Sequence, residues 1–256
     1  MREIIKEKLK VKIYDTRAEM GREAAEVISN KINDLLEAKE YVNVIFASAP
    51  SQNEFLEELY TKPVDWSRVN AFHMDEYVGL GEDAPQGFGY YLKEKLFSKV
   101  SFREINYLNG KAENLEEECK RYSDLLTKYP TDIVCLGIGE NTHLAFNDPH
   151  VANFSDSEIV KVVDLDNDCR LQQVSDGCFR SLDQVPTHAL TITIPALFNS
   201  NYAYAIAPGP LKANAIFHTI NSEMSERYPS TILRKHNNAL LFIDENSASK
   251  INSTPV

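Results

Sequence analysis

Two short stretches of the 256-residue chain carry side chains whose types and spacing suit proton transfer. The first is Phe72-His73-Met74-Asp75-Glu76-Tyr77-Val78-Gly79-Leu80, where adjacent carboxylates close an apolar run. A charge at the edge of a core is costly, and partial burial lifts a carboxylate pKa into the range of a general base. A solvated turn with His73 as a satisfied neighbour would read the same way. The second stretch is Leu136-Gly137-Ile138-Gly139-Glu140-Asn141-Thr142-His143-Leu144-Ala145-Phe146-Asn147-Asp148-Pro149. Its two glycines interrupt an apolar run and permit positive φ and close approach of a ligand. His143 stands two residues after Asn141 and five before Asp148. Imidazole moves protons near neutral pH, and either polar neighbour can fix its tautomer. A structural turn histidine is the alternative.

Other stretches are suited to binding an anion. Ala47-Ser48-Ala49-Pro50-Ser51-Gln52 directly follows the apolar run Val42–Phe46. Small and hydroxylated residues between a strand and a helix let backbone N–H groups approach a phosphate. An ordinary cap with Ser51 as N-cap competes with that reading. Lys212, in Pro208-Gly209-Pro210-Leu211-Lys212-Ala213, opens a helix after another apolar run. A lysine there opposes the helix dipole unless an anion lies between them, and a solvated lysine is the plain alternative. Arg170 sits in Asp164–Val185, a polar segment with a weak helical pattern that suits a mobile flap.

The elements that must position these groups alternate along the chain. Strands are expected at Val11–Tyr14, Val42–Ala47, Val69–Met74, Ile133–Leu136, Ile159–Val163, Ala189–Ile194, Tyr202–Ile206 and Ala239–Ile243. Helices are expected at Ala18–Ala38, Asn53–Tyr60, Leu115–Lys128 and Leu211–Ile220, the first with an apolar stripe at helical spacing. Strands alternating with helices imply βαβ units, hence an α/β fold with a mostly parallel sheet flanked by helices. Ligands of such sheets bind at the carboxyl ends of the strands, and the motifs fall there. Gly81–Gly89 reads as a surface loop and Asn246–Val256 as a loosely held tail. With no repeat or long linker, residues 1–256 are expected to form one domain.

A net charge of −11 argues against a nucleic-acid partner, which calls for a basic surface. No apolar run approaches the roughly 20 residues of a membrane span, and the charged N-terminus lacks a secretory core, so a cytoplasmic protein is expected. Cys119, Cys135, Cys169 and Cys178 show no CxxC pair, which speaks against a zinc or disulfide framework.

Together the motifs resemble the glucosamine-6-phosphate deaminase (isomerase) family, in the wider group that also holds 6-phosphogluconolactonases. The resemblance runs from about Val11 to Asp244 and is carried most specifically by Met74–Leu80 and His143–Pro149. It implies a modified doubly wound, Rossmann-like fold with a mobile lid. It also implies deamination with aldose–ketose isomerisation of an amino-sugar phosphate, glucosamine 6-phosphate or its galactosamine epimer, without cofactor or metal; a plain phosphosugar isomerase, a 6-phosphogluconolactonase and a non-catalytic sugar-phosphate sensor are the alternatives. By resemblance Asp75 shuttles the proton between C2 and C1, His143 helps to open the ring, and Asp148 orients His143. Ala47, Ser48, Ser51, Glu76, Arg170 and Lys212 fall among the substrate and phosphate positions, Arg170 on the lid. The chain departs from the family at Asn141, where aspartate is common, and at Thr142, where glycine is. It departs again at Asp148, in place of glutamate, and at Ala47 and Ala49. Family members differ in assembly, which leaves a homo-oligomer open.

Overall fold

A computed structural model describes residues 1–175 and 177–251. The side chain of Cys169 and the last five residues of the tail, 252–256, lie outside the described part. Eleven strands run β1 (Arg2–Lys6), β2 (Leu9–Tyr14), β3 (Val42–Phe46), β4 (Val69–His73), β5 (Asp75–Tyr77), β6 (Glu104–Asn106), β7 (Ile133–Leu136), β8 (Val160–Asp164), β9 (His188–Ile192), β10 (Tyr202–Ile206) and β11 (Ala239–Asp244). The α-helices are α1 (Arg17–Ala38), α2 (Asn53–Leu59), α3 (Phe88–Leu92), α4 (Leu115–Lys128), α5 (Asn167–Ser175), α6 (Ile194–Phe198) and α7 (Ala213–Asn221).

Eight strands form one sheet in the order β1-β2-β11-β10-β7-β3-β4-β6, parallel throughout except for the β1–β2 hairpin at one edge. Its central strands are apolar on both faces, as a sheet covered by helices on both sides requires. The period of two sorts them: Val42, Val44 and Phe46 pack with α1, α2 and α3, whereas Ile45 joins Phe72, Val134, Leu136 and Leu241 on the opposite face.

β8 and β9 do not join this sheet. They pair antiparallel with each other and with β5, forming a second sheet in the order β5-β9-β8. The chain passes from one sheet to the other at Met74, whose C=O accepts Ile192 N–H at 2.8 Å. Asp75 therefore stands at the junction of the sheets, and β8 and β9 are the antiparallel part of an otherwise mostly parallel fold. Gly81–Gly89, expected as a loop, runs into the start of α3, which continues as one wide turn at Lys93–Phe97.

Candidate active site

The motifs meet in a cavity of about 340 Å³ at the carboxyl ends of β3, β4, β7 and β10, four neighbouring strands. Its walls include Ser48, Ser51, Asp75, His143 and Lys212. Strand ends at a crossover point of a parallel sheet leave such a crevice by geometry alone.

Asp75 is buried, and burial pushes its carboxyl pKa well above the ordinary value, with the nearby Glu76 and Asp148 charges adding to the rise. Its neighbour Glu76 has a different role. Oε1 accepts N–H bonds from Tyr77 (2.9 Å) and Phe88 (3.1 Å), and Oε2 accepts from Gly89 (2.8 Å). That carboxylate ties the start of α3 to β5 and does not line the cavity. His73 is fully buried, and burial lowers its pKa from 6.5 to about 4. Leu108 N–H donates to its Nε2 at 2.9 Å, so the ring proton sits on Nδ1 and donates to the Asp75 carbonyl at 2.9 Å. A neutral His73 thereby holds the backbone that carries the buried acid.

His143 projects from a tight turn after β7. Its Nδ1 lies 2.8 Å from Asp148 Oδ1, with the ring tilted off a straight hydrogen bond. Asn141 braces both partners: Oδ1 accepts His143 N–H at 3.1 Å and Nδ2 donates to Asp148 Oδ1 at 2.9 Å. A backbone N–H can only donate, so this amide has one workable orientation. Gly139 lies flat against the imidazole; a Cβ there would come 2.2–2.4 Å from three ring atoms. The turn closes with His143 C=O accepting Gly139 N–H at 3.0 Å. Asn141 and Asp148 thus support His143 from behind rather than facing the cavity.

At the other end, the Ala47–Gln52 segment wraps the tip of β3 as a loop and a single 3₁₀ turn, Pro50–Gln52. Ser51 does not cap a helix with its side chain. The Ser48 hydroxyl is buried against the cavity with no partner among the described residues. Buried hydroxyls are nearly always bonded, so this one is suited to meet a ligand. Gln52, wholly buried, donates to Ser51 Oγ (3.1 Å) and to Ile206 C=O (3.0 Å), joining the loop to β10. Lys212 lies on a 3₁₀ turn, Pro210–Lys212, which leads into α7 two residues later than expected.

Arg170 does not reach the cavity. It sits on α5 and donates through Nη2 to the carbonyls of Leu182 (2.8 Å) and Val185 (2.9 Å), bonds that gather its own segment. Gln173 and Cys178 of that segment do line the cavity. Arg17, Tyr91 and Phe88 also line it and were not singled out in the sequence. Arg17 left a faint signal, a cation on the first residue of a helix where the dipole disfavours one. Cys119 and Cys135 are free thiols. Asp148, His150 and Asp166 bring ligand atoms within 4.8 Å of one another, with His150 Nε2 3.0 Å from Asp164 Oδ2.

Residues 15–242 match the model of the glucosamine-6-phosphate isomerases/6-phosphogluconolactonase family. A glucosamine-6-phosphate deaminase of Bacillus cereus (strain G9842) is 33% identical over 227 residues, 89% of this chain and 85% of that protein. Its counterpart from Bacillus thuringiensis (strain Al Hakam) is 32% identical over the same shares. Among solved structures, a monomeric glucosamine-6-phosphate deaminase, described as a missing link of the NagB superfamily, superposes with a TM-score of 0.86. That match has 28% identity and covers 93% of this chain and 98% of that one. A 6-phosphogluconolactonase from Thermotoga maritima shares the fold, with a TM-score of 0.77 at 21% identity over 93% and 100% of the two chains. The matched length and the identity lead to one assignment: the chain belongs to the family of glucosamine-6-phosphate isomerases and 6-phosphogluconolactonases.

Proposed function

We propose that this enzyme converts glucosamine 6-phosphate and water to fructose 6-phosphate and ammonia. The observation that carries the proposal is one cavity holding a buried, raised-pKa carboxyl, a histidine backed by a carboxylate, and a loop with an unbonded hydroxyl beside a lysine. The deaminases above are the relatives that support the substrate.

The chemistry follows from these positions. His143, steadied by Asp148 and Asn141, moves the proton from the anomeric hydroxyl to the ring oxygen and frees the C1 aldehyde. Asp75 then takes the proton from C2, and the electron pair forms a C1–C2 double bond as the C1 oxygen gains a proton. Asp75 returns its proton to C1, leaving an imine at C2. Water adds to that carbon and ammonia leaves, giving the 2-ketose. The substrate's own carbonyl and imine serve as electron sinks. Ser48, Ser51 and Lys212 hold the 6-phosphate, and that remote binding energy fixes C1 and C2 against Asp75. In this reading Glu76 and Arg170 shape the walls and the lid through the backbone groups they bind, rather than touching the sugar.

The reading extends to a single domain over residues 1–256, acting in the cytoplasm on its own or as a homo-oligomer, with the segment around α5 closing over bound sugar. No helix of the described residues is long and apolar enough to cross a membrane. Ammonia release from glucosamine 6-phosphate and galactosamine 6-phosphate, measured side by side, tests the reaction. The faster of the two names the C4 epimer. Silence on both from folded protein overturns the proposal.

A further inference from the structure

We infer that Arg17 is a second cationic arm of the phosphate subsite, an inference that rests on the sugar-phosphate reading above. Arg17 is the first residue of α1 and lines the same cavity as Ser48, Ser51 and Lys212. It is held in place by α2 and by the loop itself. Nε forms an ion pair with Glu54 Oε1 at 2.7 Å, and Nη2 donates to the carbonyl of Pro50. These contacts occupy a minority of the five guanidinium N–H donors and fix the plane of the fork.

Close packing sets that position. Gly21, one turn along α1, lies so near α2 that a Cβ would stand 2.6 Å from Glu54 Cβ. The glycine lets the two helices approach, which brings Arg17 to Glu54 and to the tip of the loop. Tyr91 secures the same loop by donating to Ala49 C=O at 2.7 Å. The loop itself contains no glycine, so its conformation rests on these side-chain braces.

Charge decides the argument. A phosphate monoester carries about −1.5 to −2 at neutral pH. Lys212 supplies one positive charge at the cavity, whereas Arg170 is committed to the carbonyls of Leu182 and Val185. Arg17 brings a guanidinium to this wall; Glu54 takes its Nε side, and the remaining Nη N–H groups suit two phosphate oxygens. The unfavourable placement of a cation at the start of α1 then has a purpose, because a bound anion between guanidinium and dipole reverses the sign.

The test is calorimetric titration of the intact protein with inorganic phosphate, with KM for glucosamine 6-phosphate measured alongside. Arg17→Gln removes the charge and keeps an amide N–H near the position of Nε, beside Glu54. It should weaken binding of both ligands about tenfold to a hundredfold, the range for a hydrogen bond to a charged group. Arg17→Lys should recover part of the loss, and the melting temperature of each variant separates lost charge from a lost fold. If Arg17→Gln binds phosphate as tightly as the parent while Lys212→Ala does not, the role of Arg17 is overturned and the sugar-phosphate reading stands. If the parent protein takes up neither ligand, both fall together.

Discussion

The two ends of the cavity are built on opposite principles. At the proposed reacting end, Asp75 is 6% exposed and Asp148 is wholly buried, and the backbone around them is tied down by His73, Asn141 and Glu76. At the proposed phosphate end, Arg17 and Lys212 are half-buried, and Leu211 beside them is 61% exposed. Dry surroundings make charge expensive and so move a pKa, whereas wet surroundings screen charge and let long cations settle on an anion. The lesson is a division of labour: the dry end should govern turnover and the wet end affinity.

Asp75→Asn gives the largest expected effect and sharpens that division most directly. Turnover should fall by about 10²–10⁴-fold, the usual contribution of a positioned general base, while phosphate binding stays near its parent value. A stability effect should accompany it. Burial holds the Asp75 pKa well above its ordinary 3.8. Between 3.8 and the raised value the folded chain keeps a proton that the unfolded chain has lost, so stability falls as pH rises through that window. Asparagine removes that slope. His73 has the reverse slope: lowered from 6.5 to about 4, it contributes stability that is lost as pH falls between those values. Because His73 is present in both proteins, it cancels from their difference. The melting temperature of Asp75→Asn should exceed that of the parent by a margin that widens with pH; a margin independent of pH would break the account of a dry end.

Lys212→Ala addresses the wet end. KM for the phosphorylated sugar should rise about tenfold to a hundredfold with kcat changed much less. An equal fall in kcat would show that phosphate contacts reach into the chemical step, and the two ends would no longer be separable.

Asn141→Asp should act more mildly, through geometry. The amide now donates to Asp148 Oδ1 at 2.9 Å, so aspartate would set two carboxylates at that distance, and the two cannot both ionise freely. The pair would share a proton, and turnover should drop about tenfold at high pH and recover as pH falls. A pH profile unchanged from the parent would mean that Asn141 does not hold Asp148. The shorter Asp148 and the amide-bearing Asn141 read best as a matched pair: one acid reaches less far, and the amide steadies it.

How legible this was depended on whether a signal was local. The five central strands were expected within about one residue of where they lie, because buried β-branched runs bounded by polar turns are a short-range pattern. β5 and β6 have three residues each, too few for any periodicity, and β1 forms a hairpin edge of mixed charge and apolar residues. The departure of β8 and β9 into a second sheet depends on long-range pairing that no window of sequence contains. In the cavity, Asp75 and His143 declared themselves by residue type. Glu76 could not be told from Asp75, since only the amides of Phe88 and Gly89, twelve and thirteen residues on, decide which carboxylate is satisfied. Arg170 carried the right charge on the right segment, yet the carbonyls of Leu182 and Val185 claim it.

Thr142→Gly is the smallest expected effect, and it asks whether the reacting end carries local strain. Thr142 has φ +74°, a left-handed conformation that costs an ordinary L-residue roughly 1–2 kcal/mol and suits a β-branched one least. It is 1% exposed, and its hydroxyl has no partner among the described residues, a second cost of about 1–3 kcal/mol. Its backbone is well used: N–H donates to Gly139 C=O at 2.9 Å, and its C=O accepts Ser230 N–H at 3.0 Å. Glycine keeps both bonds and removes both costs. Against this stand the lost burial of a methyl group, about 0.8 kcal/mol, and the greater freedom of glycine in the unfolded chain, about 0.5–1 kcal/mol. The balance favours the variant by about 2 kcal/mol, a rise of roughly 4–8 °C in melting temperature for a chain of this size. Turnover should stay within about twofold, because His143 keeps Asn141, Asp148 and the flat face of Gly139. A lower melting temperature would show that the threonine side chain packs more favourably than its backbone suffers. A higher one with reduced turnover would show that the left-handed threonine limits the freedom of the histidine turn, and that rigidity at the dry end is maintained at a cost in stability.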